Sequence, residues 1–306
     1  MTLAVTGATG AIGTHLVRRA LEQRHDVVAI VRPGSRNMSR LDELSVRIIE
    51  CTGGDYAGFV TDAKADAFIH LAWEGAALNF RDDVNLQWQN TKDTLGAVEL
   101  AHCMGCKEFV FATSQAEVGR TDEPISNQTP CFPESAYGAA KLAAGQLSLL
   151  RCRQLGIRHC RVRILSVFSE HADDNAIINY VVRTLLKGEK PSLTPCEQSW
   201  DFMYVDDAAD AILAVVERGL DGAIYSIGSG TEKRLREYIE QIRDMIGPEL
   251  PLGFGEKPYF PHQPMRLVAD VTNLVTDTGY LSDINSFGGG GEKVIEYYRK
   301  AFLLTQ

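Results

Sequence analysis

The chain has 306 residues, 45% of them hydrophobic and 23% charged, with a formal charge of −9 at pH 7. That length buries a large core and fits one large domain or two intimate ones, while the acidic balance excludes nucleic acid or an anionic membrane as the main partner. Apolar runs stay short of the ~20 residues of a membrane span, and seven irregularly spaced cysteines read as the reduced thiols of a cytoplasmic protein.

Taken in order, residues 2–6 predict a strand directly after Met1, so no signal peptide is expected. The strand runs into Gly7-Ala8-Thr9-Gly10-Ala11-Ile12-Gly13, and a helix follows with Ile12, Leu16, Val17, Ala20 and Leu21 on one side. Strand, glycine turn and helix in that order form the phosphate-binding turn of a dinucleotide fold, here spaced GxxGxxG. The second strand, 26–31, ends in Arg32-Pro33-Gly34-Ser35-Arg36. An acid there would hold the ribose 2′-hydroxyl of NAD; two cations and a hydroxyl suit a 2′-phosphate, so NADP(H) is preferred and NAD(H) stays possible.

Further strands are predicted at 46–50 and 67–72, with Gly54-Asp55-Tyr56 opening a short helix between them. Asp55 either reaches an adenine amino group or caps that helix. Residues 79–104 predict one long helix, ended by a Cys103-Met104-Gly105-Cys106 pair. That pair sits at the wrong end of a helix to be acidified, and with no second CxxC to complete a zinc site it is read as structural; no metal is expected.

A fifth strand, 107–112, ends at Thr113-Ser114, and a loop (119–133) leads to a helix opening at Ser135, with Leu142, Leu147, Leu149 and Leu150 as its core-facing stripe. A sixth strand covers 161–165. Beyond it lie an irregular stretch (166–201) with a helix near 176–187, a strand at 202–204, a helix at 208–216, a strand at 224–228 and a helix at 231–246. A Pro/Gly-rich stretch (250–270) and a terminal helix (289–303) complete the chain, with Gly288 to Gly291 read as a flexible lead-in.

The alternation predicts an α/β fold: a Rossmann-type doubly wound parallel sheet with a smaller C-terminal α/β substrate-binding domain. The division expected is 1–165 and 202–228 for the dinucleotide-binding domain, and 166–201 and 229–306 for the other. Gly7, Arg32, Ala72 and Ser114 all fall at the carboxyl edge of the sheet, where such folds bind ligands.

Tyr137 and Lys141 are four positions apart, so on a helix they project from one face. A phenol near its ordinary value of ~10 exchanges protons poorly at neutral pH, and lowering it by about three units takes roughly 4 kcal/mol. A fixed ammonium beside it favours the phenolate, so Lys141 is expected to lower the Tyr137 pKa.

With these elements placed, the chain resembles the extended short-chain dehydrogenase/reductase family, in its branch of sugar-nucleotide epimerases, dehydratases and reductases. The resemblance runs nearly end to end: Thr6-Gly-Ala-Thr-Gly-Ala-Ile-Gly13, His70-Leu-Ala72, Asn90, Phe109-Val-Phe-Ala-Thr-Ser114, Tyr137-x-x-x-Lys141, Arg163-Ile-Leu-Ser166 and Trp200-Asp-Phe-Met-Tyr-Val-Asp-Asp207. It implies a catalytic set of Ser114, Tyr137 and Lys141, in which Tyr137 exchanges a proton with a sugar oxygen, Ser114 orients that oxygen and Lys141 holds the nicotinamide ribose. It places cofactor contacts on Gly7, Thr9, Gly10, Ala11, Ile12, Gly13, Arg32, Ser35, Arg36, Asp55, Tyr56, Leu71, Ala72, Trp73, Asn90, Thr113, Tyr137, Lys141, Ile164 and Val167. Substrate contacts fall on Trp73, Ser114, Gln115, Ser166, Asn175, Trp200 and Arg266. It further implies a nucleotide-diphosphate sugar as substrate and a homodimer through the 79–104 and 134–155 helices.

Departures from the family pattern narrow the activity. The family often has Val-Tyr-Gly after its catalytic hydroxyl; here Val118 stands at the tyrosine position. The 4,6-dehydratases carry Asp-Glu directly after their Thr, and Gln115-Ala116 cannot perform that elimination. Trp200 replaces a phosphate-binding arginine, leaving Arg266 or Arg183 to supply the contact, and Arg266 could instead pair with Asp270. Ser114-Gln-Ala-Glu, His70-Leu-Ala-Trp73-Glu74-Gly75 and Gln198-Ser-Trp200-Asp201 look most like 4-ketoreductases of the CDP-abequose synthase type. The expected activity is therefore NADPH-dependent reduction of a nucleotide-linked 4-keto-6-deoxy sugar. An NAD-dependent 4-epimerase is the alternative, and a cofactor-sensing regulator a remote one. Trp73 and Trp200 either stack on substrate or fill the cleft, His70 shapes the cofactor pocket by packing, and Glu117 is read as an exposed turn residue.

Overall fold

Strand-forming runs that are apolar on both faces have to be covered on both sides, and they build a parallel sheet. The computed structural model describes residues 1–76, 78–260, 263–283 and 285–303. Its first half alternates Thr2–Thr6 (β1), Ala11–Glu22 (α1), Asp26–Val31 (β2), Arg47–Glu50 (β3), Ala67–His70 (β4), Val84–Met104 (α2), Glu108–Ser114 (β5), Ala136–Leu155 (α3) and Arg158–Ile164 (β6). Then come Ser166–Phe168 (β7), Ile177–Leu186 (α4), Ser199–Trp200 (β8), Phe202–Tyr204 (β9), Val205–Arg218 (α5), Ile224–Ile227 (β10) and Lys233–Arg234 (β11). The chain continues through Leu235–Ile246 (α6), Arg266–Leu267 (β12), Thr272–Thr278 (α7) and Ser286–Leu303 (α8).

Seven strands pair in the order β10-β6-β5-β4-β1-β2-β3, all parallel. The order reverses between β1 and β4, the switch point at which doubly wound sheets bind their ligands. One face packs through Leu3, Val5, Leu16, Val17, Ile212 and Val215 against α1 and α5. The other packs through Ala4, Phe68, Phe109, Phe111, Leu100 and Ala144 against α2 and α3. A separate cluster, with Val181, Val182, Phe202, Tyr238, Ile242, Phe287 and Ile295 in its core, joins α4, α6 and α8 beside two small sheets, β11-β8-β12 and β7-β9. Among the described residues, no helix is long and apolar enough to cross a membrane.

Several element expectations need correction. The long helix begins at Val84, not residue 79: the Asp83 carboxylate caps it by accepting from Leu86 N at 3.0 Å, and Leu78–Phe80 forms a separate 3-10 turn. The stripe assigned to α3 is also different. Leu149 is buried, but Leu147 and Leu150 are exposed, because the covered face is the one carrying Tyr137, Lys141, Ala144 and Ser148. The glycine run is no lead-in: Gly288 to Gly291 lie inside α8, where a Cβ on Gly290 would stand 2.5 Å from the Tyr204 ring.

Candidate active site

The glycine turn closes so tightly that a Cβ on Gly13 would lie 2.0 Å from Gly7 O. Gly10 caps α1 without a side-chain hydrogen bond, so no side chain occupies the N–H groups that open the helix at Ala11, Ile12 and Gly13. This cradle fits a dinucleotide pyrophosphate, and Ala11 to Gly13 would hold it. Thr9 Oγ1 lies 3.0 Å from Ser35 Oγ, and Arg40 Nη1 donates to Thr9 O at 3.0 Å, tying the loop after β2 to the turn. Arg40, half-buried, went unnoticed in the sequence because it lies outside the Arg32–Arg36 cluster. Arg32 and Arg36 are exposed, and Arg32 Nη1 stands 3.9 Å from Glu74 Oε1, an acid that arrives from the loop after β4.

Asp55 accepts a hydrogen bond from the Thr52 hydroxyl, and Tyr56 is buried edge-on to His70. The Ala72 amide donates to Thr6 Oγ1 at 3.3 Å, seating Leu71 and Ala72 over the end of β1. Asn90, assigned to the cofactor, uses its amide on this loop instead: Nδ2 donates to Glu74 O at 2.9 Å and Oδ1 accepts from Glu74 N at 2.8 Å. Gln87 does the same for the next turn and also accepts from Trp73 Nε1 at 2.8 Å. The two α2 amides therefore fix where the Trp73 indole stands.

The structure brings Ser114, at the end of β5, to Tyr137 and Lys141 in the first turns of α3. Ser135 caps that helix by accepting from Gly138 N at 3.1 Å. Gly138 permits the contact: a Cβ there would sit 2.2 Å from Ala116 O, so α3 docks directly on the turn after Ser114. Burial pushes the Tyr137 phenol above its ordinary value, opposed by a hydrogen bond with Ser114 and by the Arg81 charge. The Arg81 guanidinium lies 5.0 Å from the ring centroid. Arg81 was missed because its stretch reads as helix.

Lys141 is fully buried. Its Nζ donates to Ala112 O at 2.7 Å and stands 3.7 Å from the centre of the Trp73 ring but 6.0 Å from that of Tyr137. Burial pulls it down to about 7, against the pull of Glu117. Against the expectation that Tyr137 is lowered, burial is the leading influence on both groups, raising Tyr137 and lowering Lys141, and the cation acting on the phenol is Arg81.

The turn after Ser114 carries Gln115 and Ala116, then Glu117. Glu117 is neither exposed nor directed at a substrate: it is fully buried, accepts from Thr113 Oγ1, and pairs with Arg163 Nε at 2.7 Å. Arg163 Nη1 also donates to Ser126 O at 2.6 Å, so one buried pair anchors both the turn and the following loop. Removing either partner alone strands a buried charge, at a cost of about 3–5 kcal/mol.

Beyond the sheet edge, Ser166, Val167, Asn175 and Trp200 line one cavity of about 560 Å³, together with Gln198, Lys257, Phe260 and Gln263. Val167, assigned to the cofactor, thus faces the cavity, while Ile164 pairs in register with Ser114. Arg266 does not line the cavity. It makes a two-pronged pair with Glu232 and donates to Asp122 O, and it does not pair with Asp270. Arg183 is likewise engaged, with Asp174. Gln198 belongs to the motif that carries the resemblance, whereas Lys257 lies in the Pro/Gly-rich stretch, where no periodicity marks a face.

The sequence profile of the NAD dependent epimerase/dehydratase family matches residues 3–228. The chain belongs to this family. Members of the epimerase/dehydratase family are NAD(P)-dependent enzymes. The chain is 28% identical to dTDP-6-deoxy-L-talose 4-dehydrogenase (NAD(+)) of Aggregatibacter actinomycetemcomitans over 258 residues, covering 79% of this chain and 89% of the relative. It is 28% identical to GDP-6-deoxy-D-mannose reductase of Pseudomonas aeruginosa over 263 residues, 81% of each chain. Among solved structures, UDP-N-acetylglucosamine 4-epimerase of Methanobrevibacter ruminantium M1, in complex with UDP-N-acetylmuramic acid, superposes with a TM-score of 0.88 at 22% identity over 98% of each chain. The fold shared with that structure is the seven-stranded parallel sheet with its flanking helices.

Proposed function

We propose that this family member is an NADPH-dependent reductase of a nucleotide-diphosphate-linked 4-keto-6-deoxy sugar. The observation that carries the reading is the turn after Ser114: it presents Gln115 and Ala116 where an elimination needs acids, and its one carboxylate, Glu117, is committed to Arg163. What remains beside the reacting carbon is a proton donor and a hydroxyl. The raised pKa of Tyr137 keeps the phenol protonated, which suits a donor to a developing alkoxide better than a base that must first lose its proton. The names of the two sequence relatives, a reductase and a 4-dehydrogenase of 6-deoxy sugar nucleotides, support the substrate class.

Bound reduced nicotinamide supplies the hydride. Ser114 donates to the ketone oxygen and holds it toward Tyr137. Tyr137 gives that oxygen its proton, and the resulting phenolate is stabilised by the Arg81 charge. Trp73 closes the Lys141 side of the pocket against water. In the cavity, Lys257 takes the place expected of Arg266 as the cation for the substrate diphosphate, and Ser166, Asn175 and Trp200 contact the nucleotide-sugar. On this reading, residues 166–201 and 229–306 form the substrate-binding part. Arg32, Ser35 and Arg36, beside Thr9, support NADP(H). The alternative, an NAD-dependent 4-epimerase, uses the same three catalytic residues and draws support from Glu74, the carboxylate close to Arg32.

We assign the protein to the cytoplasm on its seven free thiols, and to a homodimer on the exposed apolar side chains of α2 and α3. Replacing Tyr137 with Phe is expected to lower turnover by about 10²–10⁴-fold while leaving NADPH binding, read by fluorescence titration, within about twofold. Turnover equal to that of the unaltered enzyme would remove Tyr137 from its role.

A further inference from the structure

Outside that site, donors from distant parts of the chain meet where α1 packs against α5. His15, fully buried on α1, is bonded through Nδ1 to Asp206 Oδ1 at 2.6 Å. A carboxylate only accepts, so the bond assigns a ring proton to Nδ1, and in the neutral ring Nε2 then carries a lone pair. That Nε2 has no hydrogen-bond partner in the protein and faces Oε1 of Glu170 at 3.5 Å. Nε2 and the Glu170 oxygen, turned toward each other in a buried site, need a proton or a metal ion between them. The other oxygen of Glu170 accepts from the Tyr204 hydroxyl at 2.9 Å, which fixes the carboxylate in this attitude. The next residue, His171, also has a buried ring nitrogen, Nδ1, without a partner, and one donor atom from each of His15, Glu170 and His171 lies within 4.8 Å of the others.

We propose that His15, Glu170 and His171 bind a divalent transition-metal ion, zinc by preference, with Asp206 orienting His15. Two imidazoles and a carboxylate are a donor set zinc favours, and donors about 2.1 Å from one tetrahedral ion stand about 3.4 Å apart, the separation His15 and Glu170 already have. Asp206 plays the part of the carboxylate that holds a metal-binding histidine from behind, and Lys293 secures its other oxygen at 2.7 Å. Cations lie close by: Arg18 and Arg40 act on His171, Arg40 also acts on Glu170, and Lys293 bonds to Asp206. A recess of about 430 Å³ reaches Glu170, Tyr204 and Asp206 and is also lined by Arg18, Arg19, Lys293 and Lys300. The ion would fasten α1, the helix that opens at the glycine turn, to the segment after β7 and to α5. Nothing in the sequence marks this site, because His15 and Glu170-His171 become neighbours only through the fold.

The test is titration of chelator-treated full-length protein with Zn²⁺ alone and with Co²⁺ alone. The expected result is one ion per chain, a cobalt spectrum without a thiolate charge-transfer band, and a rise in Tm on adding zinc. His171→Gln and Glu170→Gln, both only partly buried, should each weaken binding at least tenfold and abolish the Tm rise, and Asp206→Asn should weaken it about tenfold. Failure of the unaltered protein to bind, binding unchanged in His171→Gln and Glu170→Gln, or a thiolate band pointing to the cysteines would each overturn the proposal.

Discussion

His70 sits fully buried between two hydroxyls, with Nδ1 2.8 Å from Thr6 Oγ1 and Nε2 3.3 Å from Thr94 Oγ1. Burial, with the Lys141 charge adding to it, brings its pKa down to about 3, and burial does the same to His159. Between about pH 3 and the ordinary histidine value of ~6.5, the unfolded chain binds protons on these rings that the folded chain refuses. Stability is therefore complete above that window and is lost as pH falls through it. Replacing His70 with Asn should reduce proton uptake on unfolding by up to one proton, seen as a flatter dependence of urea-unfolding free energy on pH between 4 and 6.5. An unchanged slope would mean that His70 titrates normally. The packing role of His70 was legible from its place at a strand end, and Tyr137 and Lys141 from their spacing. Their protonation states were not, because those depend on how deeply α3 docks on the turn at Ala116.

Among the elements, α8 shows most plainly what composition hides. Four successive glycines read as a breaker by propensity, yet the helix runs through them because a neighbour presses on it. A Cβ on Gly290 would meet the Tyr204 ring and one on Gly291 would stand 2.9 Å from Ile242, whereas Gly289 is exposed with nothing within 4 Å. Gly289→Ala should therefore stabilise the fold by about 0.5–1 kcal/mol through the lost chain entropy. Gly290→Ala should destabilise it by about 1–3 kcal/mol through overpacking. Guanidinium midpoints of the two variants check this, and equal shifts of one sign would contradict it. The same reasoning explains the missed β7, β8, β11 and β12: strands of two or three residues carry too little periodicity to read, and their partners are set by tertiary contacts.

At the scale of the molecule, the parallel sheet was legible because each central strand is an apolar run between a glycine- or polar-rich turn and a helix. The ligand edge followed from that order alone. The cavity beyond it was legible only in part: Ser166, Asn175 and Trp200 converge there, but Lys257 comes from a stretch without pattern. The proposed homodimer would use the outer faces of α2 and α3, where Val84, Trp88, Leu147 and Leu150 are 68%, 55%, 39% and 54% exposed. Apolar side chains of this size are commonly covered in an assembly. Trp88→Glu combined with Leu150→Glu should turn a dimer into a monomer in light scattering coupled to gel filtration, with the circular dichroism spectrum unchanged; an unaltered mass would place the interface elsewhere.

The direction of hydride and proton at Tyr137 separates reductase from epimerase. It is tested most directly by supplying a 4-keto-6-deoxy sugar nucleotide and following NADPH and NADH oxidation alongside the sugar product. A reductase should consume one NADPH per 6-deoxy sugar formed and use NADPH in preference to NADH. Isolation of the protein with bound NAD that substrate reduces and reoxidises, giving a 4-epimer with no net consumption of cofactor, would contradict the reductase reading.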